Sequence, residues 1–160
     1  MKPVRVLVVG MTATVGGIEN FLVNYLSRID KSRVQFDFLT RFADAAYPEA
    51  RAAIGRTYVI PRRSESPVRF YREISDFFAA HHGEYDVVWD NECMFNDMTP
   101  LKLAAEYGVP VRIAHSHNPE NMDVSLRGRG QELLHRVQRR RLSRYANVLW
   151  ACSEESARWA

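Results

Sequence analysis

Two hydrophobic periods take turns along this chain, and their order lays out the fold. Val4, Val6, Val8 and Val9 lie in a short, almost wholly apolar run that stops at Gly10, the pattern of a strand buried on both faces of a parallel sheet. Ile18, Phe21, Leu22, Tyr25, Leu26 and Ile29 then recur at i, i+3, i+4, i+7, i+8 and i+11, which is one face of a helix. Residues 34–40 place Val34, Phe36 and Phe38 on one side of a second strand. Further strands are predicted over 57–60, stopped by Pro61, and over 86–90, 111–115 and 148–151. Helices are predicted over 47–54, from Ser66 as cap and Pro67 as first residue to His81 and His82, over 97–107 up to Gly108, and over 131–145. A last helix begins at Ser153. Strand and helix alternate throughout, so the expected fold is α/β: a Rossmann-like, doubly wound parallel sheet of about six strands with right-handed crossovers.

At 160 residues the chain can bury one real core. Its last helix has barely begun at Ala160, so residues 1–160 read as the first domain of a longer protein. The formal net charge is +3 and the pI about 9.0, with Lys2, Lys31 and Lys102 the lysines among 22 basic residues. Arginine is the better residue for bidentate contacts to phosphate and carboxylate. Cys93 and Cys152 stand far apart without a C-x-x-C, so neither a disulfide scaffold nor a zinc site is expected; they read as reduced thiols of a cytoplasmic protein. The apolar run after Lys2 is too short for a signal peptide or a spanning helix.

The glycine pair Gly16-Gly17 stands directly before a helix, where bare backbone, unpaired N–H groups and the positive end of the dipole suit a phosphate or diphosphate. Gly10, Gly16 and Gly17 do not make G-x-G-x-x-G, and no G-K-[ST] follows, which excludes a P-loop. The plain alternative is a tight strand-to-helix turn. Ligands of such sheets bind beyond the carboxyl ends of the strands where strand order reverses, between the first and fourth strands in the usual order. That point collects the 10–17 loop, Asp90-Asn91-Glu92 and His115-Ser116-His117-Asn118.

His115 and His117 are two apart and point the same way on an extended chain. His115 reads more as a structural residue and His117 more as a ligand to a sugar hydroxyl or phosphate. No metal is expected, since no cysteine, third histidine or ligand spacing accompanies the pair. Glu19, Asp90 and Glu92 are candidates to act as general bases or to hold sugar hydroxyls, against the simpler readings of helix cap and solvated charge. The 131–145 segment is strongly basic. Leu133, Leu134, Val137 and Leu142 are expected inward, leaving Arg136, Arg139, Arg140 and Arg144 outside as a solvated face or a patch for anionic lipid or a phosphorylated acceptor. Nucleic acid is disfavoured because no aromatics interleave with the arginines. A second basic patch is Arg62, Arg63, Arg69 and Arg72, beside Phe70 and Tyr71.

The order VLVVG, VGGIENFLVNYLSRID, QFDFLT, IAHSHN and RYANVLWACSEESARW resembles the N-terminal domain of family 4 glycosyltransferases of the GT-B fold, of the bacterial capsule and exopolysaccharide type. The resemblance implies an acceptor-side half of a two-domain enzyme that moves a hexose from a UDP- or GDP-linked sugar to a lipid-linked or polysaccharide acceptor. Anomeric configuration would be retained, and no metal or other cofactor required. Gly16 and Gly17 would approach the donor diphosphate and His117 the transferring sugar, with Glu19, Asp90, Glu92, His115 and Asn118 as sugar- or acceptor-side candidates. The donor-binding C-terminal domain would be absent from this chain, which alone should not turn over. The implied place is the cytoplasm, with peripheral contact at the inner face of the membrane. Two rival readings are an NAD(P)- or other nucleotide-binding module and a non-enzymatic regulatory domain. The first needs an acid at the end of the second strand, where Thr40-Arg41 stands. The second needs an acidic cluster after the first strand, where Met11-Thr12-Ala13 stands.

Overall fold

A computed structural model describes residues 2–118, 120–121 and 123–160. The elements run β1 (Val4–Val9), α1 (Gly17–Leu26), β2 (Val34–Thr40), α2 (Pro48–Ile54), β3 (Thr57–Val59), α3 (Pro67–His81), β4 (Val87–Glu92), α4 (Thr99–Glu106), β5 (Val111–Ser116), α5 (Leu126–Gln138), α6 (Leu142–Tyr145), β6 (Val148–Ala151) and α7 (Glu154–Trp159). All pairings are parallel, in the order β3-β2-β1-β4-β5-β6. The order reverses between β1 and β4, as expected.

Side-chain alternation splits the core in two. Val6, Val8, Trp89 and Ile113 pack with Leu22 and Leu26 of α1 on one face. Leu7, Val9, Leu39 and Val88 pack with Phe70, Ile74, Phe77 and Phe78 of α3 and Ala104 of α4 on the other. The central strands are therefore apolar on both faces, which is why their sequences read as continuous runs.

Three expectations are corrected. Strand β4 runs on through Asn91 and Glu92, because these residues pair with His115 and Ser116 of β5; they are strand, not a polar cluster beyond its end. Helix α1 stops at Leu26, so Ile29 lies off it, and Tyr25 is exposed while Glu19 is buried. The basic helix starts at Leu126, where Ser125 Oγ accepts from Gly128 N at 3.1 Å, and breaks into a 3-10 turn at Arg139–Arg141 before α6. Its inward residues are Gly128 and His135, whereas Leu133, Leu134 and Val137 face outward. Of the four predicted inward, Leu142 is buried. His135 wins the inside because both ring nitrogens find partners there: Nδ1 accepts from Phe95 N at 3.0 Å and Nε2 donates to Trp159 O at 3.0 Å.

Asp37, inside β2, is buried and shared by three groups. It accepts from Arg56 N at 2.8 Å, Arg56 Nη2 at 3.0 Å and Tyr85 Oη at 3.0 Å, and also pairs with Arg5. Burial pushes this carboxyl up, but the hydrogen bonds from Arg56 and Tyr85 outweigh it and hold it below the usual carboxylate range. Asp37→Ala is expected to cost about 2 kcal/mol by leaving the buried Tyr85 hydroxyl unpaired and the two guanidinium groups without their shared acceptor. Since the folded-state carboxyl titrates below its unfolded value, its contribution is complete above about pH 4 and disappears as acid protonates it. Urea melts at pH 7 and pH 3 should show the variant's deficit shrinking at the lower pH.

Candidate functional site

The crest of the sheet begins at Gly10, whose φ of +109° turns the chain off β1 over β4. Residues 10–16 are then held by Glu19. Its Oε1 accepts from Thr12 N at 2.9 Å and Thr12 Oγ1 at 2.8 Å, and its Oε2 accepts from Gly16 N at 3.1 Å. With both oxygens engaged and 3 % exposure, Glu19 works as a loop tie, with the N3 acid reaching back to the N-cap amide. The amides of Gly17 and Ile18 come before any intrahelical acceptor, and a Cβ on Gly17 would meet nothing within 4 Å.

Opposite this helix start stand the ends of β5 and β6. A hollow of about 430 Å³ is lined by Thr12, Thr14, Gly16, Gly17, Phe21, Cys93, His117, Asn118 and Cys152, among others. The glycine pair and His117-Asn118, far apart in sequence, thus share one space at the β1/β4 switch point.

Asp90 and Glu92 are not brought to it. By alternation they share the face of Val88, which packs against α3 and α4. Asp90 is fully buried there, and among the described residues neither of its carboxylate oxygens has a hydrogen-bond partner. Burial and then the charge of Glu92 raise it well above the usual carboxylate range, against the opposing charge of Arg41. Glu92 is raised too, by burial, and sits 3.6 Å from Arg41, which also lies 3.7 Å from Asp97. It lines a smaller neighbouring recess with Gly10, Met11, Thr12 and Arg41. As acceptors for a sugar in the larger hollow, both carboxylates are on the wrong face of the sheet.

Asn91 points the other way and starts a hydrogen-bonded chain. Its Nδ2 donates to Val9 O at 3.2 Å and Trp89 O at 3.1 Å, so Oδ1 is the atom facing His117 Nε2 at 3.0 Å. His117 therefore carries its hydrogen on Nε2 and presents a lone pair at Nδ1, 3.3 Å from Cys152 Sγ. Trp89 Nε1 can only donate, and it donates to His115 Nδ1 at 3.3 Å. The hydrogen of His115 is then on Nε2, 3.5 Å from the same sulfur. Burial, then the neighbouring His115, holds His117 down to about 4, and burial also lowers His115, so both rings are neutral at pH 7.

Sequence reading placed Asn91 at the switch point without assigning it a role, and missed Cys152. The signal for Cys152 was in the register: His115 pairs with Trp150 and Ser116 with Ala151 on β5 and β6, so two residues on from His115, His117 comes beside Cys152. This corrects the premise that no cysteine accompanies the histidines. His115, His117 and Cys152 each offer a possible ligand atom within 4.8 Å of one another, while His115 Nδ1 already accepts from Trp89 Nε1.

Of the basic residues, Arg139 is taken up by the end of α7, donating to Trp159 O at 2.7 Å and Arg158 O at 3.2 Å. Arg136 pairs with Glu132 at 2.6 Å on the surface, and Arg140 and Arg144 are exposed. The second patch is charge-paired: Arg62 with Glu65, Arg69 with Glu73 at 3.0 Å, and Arg63 with Asp97 at 3.6 Å. No helix of the described residues is long and apolar enough to cross a membrane.

No family model matches the chain. It is 34% identical over 149 residues to "Putative glycosyltransferase EpsF" of Bacillus subtilis, an alignment covering 90% of this chain and 37% of that protein. The chain thus spans little more than a third of this relative's length. Among solved structures it is similar to Anabaena Alr3699/HepE, determined in complex with UDP and glucose, with a TM-score of 0.61 and 16% identity over 98% of this chain and 40% of that one. It is similar also to a Listeria monocytogenes structure described as a putative UDP-N-acetylglucosamine 2-epimerase, with a TM-score of 0.62 and 11% identity over 99% and 42% of the two chains. At these identities the two structures speak for the fold: this chain has the Rossmann-like α/β fold of a GT-B half-domain, and its sequence is similar to that of EpsF over nine-tenths of its length.

Proposed function

We propose that this chain is the N-terminal, acceptor-side domain of a retaining glycosyltransferase that moves a hexose from a UDP- or GDP-linked sugar to a lipid-linked or polysaccharide acceptor in cell-surface polysaccharide synthesis. The observation that carries the reading is the shared hollow, in which a bare helix start faces a neutral histidine at the switch point of the sheet. The amides of Gly17 and Ile18 and the helix dipole receive the donor diphosphate. Because His117 is neutral, it holds a substrate hydroxyl at Nδ1 in place of the Cys152 thiol rather than protonating a leaving group. Asn91 orients that ring through Nε2, and Asn118 completes the same wall. A second domain that grips the nucleotide, and a reaction without metal, are parts of the same proposal. Homology to EpsF supports it, as does a protein of the same fold that carries UDP and glucose.

Saturation-transfer NMR of the intact gene product with UDP, GDP and NAD tests it, followed by a transfer assay with UDP- and GDP-hexoses on lipid extracts. A nucleoside-diphosphate response with hexose transfer is expected. NAD contact without any response to UDP or GDP would replace this reading with the dinucleotide-binding one.

We propose further that α5 brings the enzyme to the inner face of an anionic membrane. Leu126, Leu133 and Val137 are 87 %, 66 % and 49 % exposed and fall at i, i+7 and i+11, one stripe of the helix. Exposed Arg129 and Arg136 flank it on one side and Arg127 on the other, an apolar stripe with cationic borders suited to an interfacial helix. Sedimentation of the 160-residue chain is expected with anionic and not with neutral vesicles, weakening with salt. Leu133→Asp should reduce it about tenfold, and equal binding to both vesicle types would remove the membrane from the picture.

A further inference from the structure

We infer that the recess beside Arg41 is a second binding site, which takes an uncharged sugar by two neighbouring hydroxyls held by Arg41, Glu92 and Asp90. Among the described residues, the buried side-chain polar atoms without a hydrogen-bond partner are Arg41 Nη2 and both carboxylate oxygens of Asp90. Folded chains pair nearly all such atoms, and each exception asks for a partner. All three fall in one cluster. Asp90, fully buried, and Glu92 stand two residues apart on the same face of β4, and Asp90 lies beside Val9 of β1, which lines the recess. Arg41 enters the cluster from the end of β2, 3.6 Å from Glu92 and 3.7 Å from Asp97. Both contacts are too long for hydrogen bonds, so the guanidinium can turn toward a ligand without breaking one. The side chains of Arg41 and Glu92 are both partly exposed and line the recess.

Shape and charge select the ligand. The recess holds about 60 Å³ between Phe42, Ile60 and Pro100, and through Arg41, Phe42 and Ile60 it continues into an outer hollow of about 460 Å³. One edge of a hexose fits the first space and the rest of the ring the second. In the outer wall Arg41, Arg62 and Arg69 are matched by Asp44, Glu65 and Glu73, so donors and acceptors are offered without surplus charge. An anion would meet Glu92 and Asp97; a cation would meet Arg41 and Arg63, which pairs with Asp97 at 3.6 Å. A hydroxyl donates and accepts at once. One hydroxyl gives its hydrogen to Glu92 and takes one from Arg41 Nη2, and its neighbour, reaching past the turned guanidinium, donates to Asp90. Thr12 borders both this recess and the hollow of Gly16 and His117, so the two sites adjoin over the 10–16 loop. That the sugar held here is the acceptor rests on the glycosyltransferase reading; the site itself does not.

The test follows the backbone amides of the 160-residue chain by NMR during titration with the methyl glycosides of glucose, galactose, mannose and N-acetylglucosamine, and with glucuronate and glucosamine as charged counterparts. At least one neutral glycoside should move the amides of Thr12, Phe42 and Glu92 and leave those of Gly17 and Asn118 in place, with a dissociation constant on the order of 1–10 mM for a single ring. The charged sugars should bind at least about tenfold more weakly. Glu92→Gln, which keeps the shape and removes the charge, should weaken the neutral glycoside about fivefold, and Arg41→Met about tenfold. No shift at these amides with any neutral glycoside at about 100 mM, charged sugars that bind as tightly, or a folded Glu92→Gln chain with the parent's affinity would overturn the inference. If the variants do not fold, the parent's shift map and its preference for uncharged over charged sugars decide. None of these readouts depends on a nucleotide or on sugar transfer, so failure here and failure of the proposed enzyme activity are told apart.

Discussion

Gly10→Ala is expected to destabilise the chain by about 4 kcal/mol, from left-handed backbone strain together with overpacking of a site that cannot yield. The backbone is at φ +109°, and a Cβ built there would stand 2.0 Å from the carbonyl oxygen of Asn91. That oxygen belongs to β4, which pairs with β5 throughout this region, so neither partner can move aside without breaking the ladder. The loss should fall on the crest as well as on the melting temperature, because Asn91 also orients His117. Chemical denaturation and hydrogen exchange at residues 10–20 would check both. A stability change below about 1 kcal/mol would mean that the turn is softer than its geometry requires.

Gly17 gives the opposite expectation a few residues later. A side chain here enters open space at the first position of α1, and most residues favour a helix more than glycine does. Gly17→Leu should therefore fold at least as well as the parent. In the intact gene product it should lower kcat/KM for transfer at least about 100-fold, since the leucine fills the space in which the proposed diphosphate meets the helix start; that corresponds to roughly 2.7 kcal/mol of transition-state binding. Gly17→Ala, with one methyl, should fall between. Unchanged transfer by a folded Gly17→Leu protein would move the donor away from this helix.

These two glycines show where sequence reading reached and where it stopped. Both stood out in one loop, and nothing local told the obligatory one from the free one. The difference lies in what passes nearby: a β4 carbonyl at Gly10 and nothing at Gly17. Strand β4, read as ending at Asp90, runs two positions further at its C-terminal end to Glu92, because Asn91 and Glu92 have poor strand propensity and only pairing to β5 overrides it. That extension turned Asp90 and Glu92 to the α3 and α4 side and Asn91 to the α1 side. The basic helix misled for a related reason: its leucines fit an inward stripe by period, while His135, with partners on both ring nitrogens, took the interior.

Residue order alone determined the six-stranded parallel fold, the reversal between β1 and β4 and the meeting of the glycine pair with the His-Ser-His-Asn segment, since apolar periodicity and right-handed crossovers leave few other arrangements. Tertiary structure decided which polar side chains face the hollow, that both carboxylate oxygens of Glu19 tie the 10–16 loop, and that Cys152 stands against His117. Those outcomes depend on strand register and on the sheet face each residue takes, and a shift of one residue in pairing inverts them all.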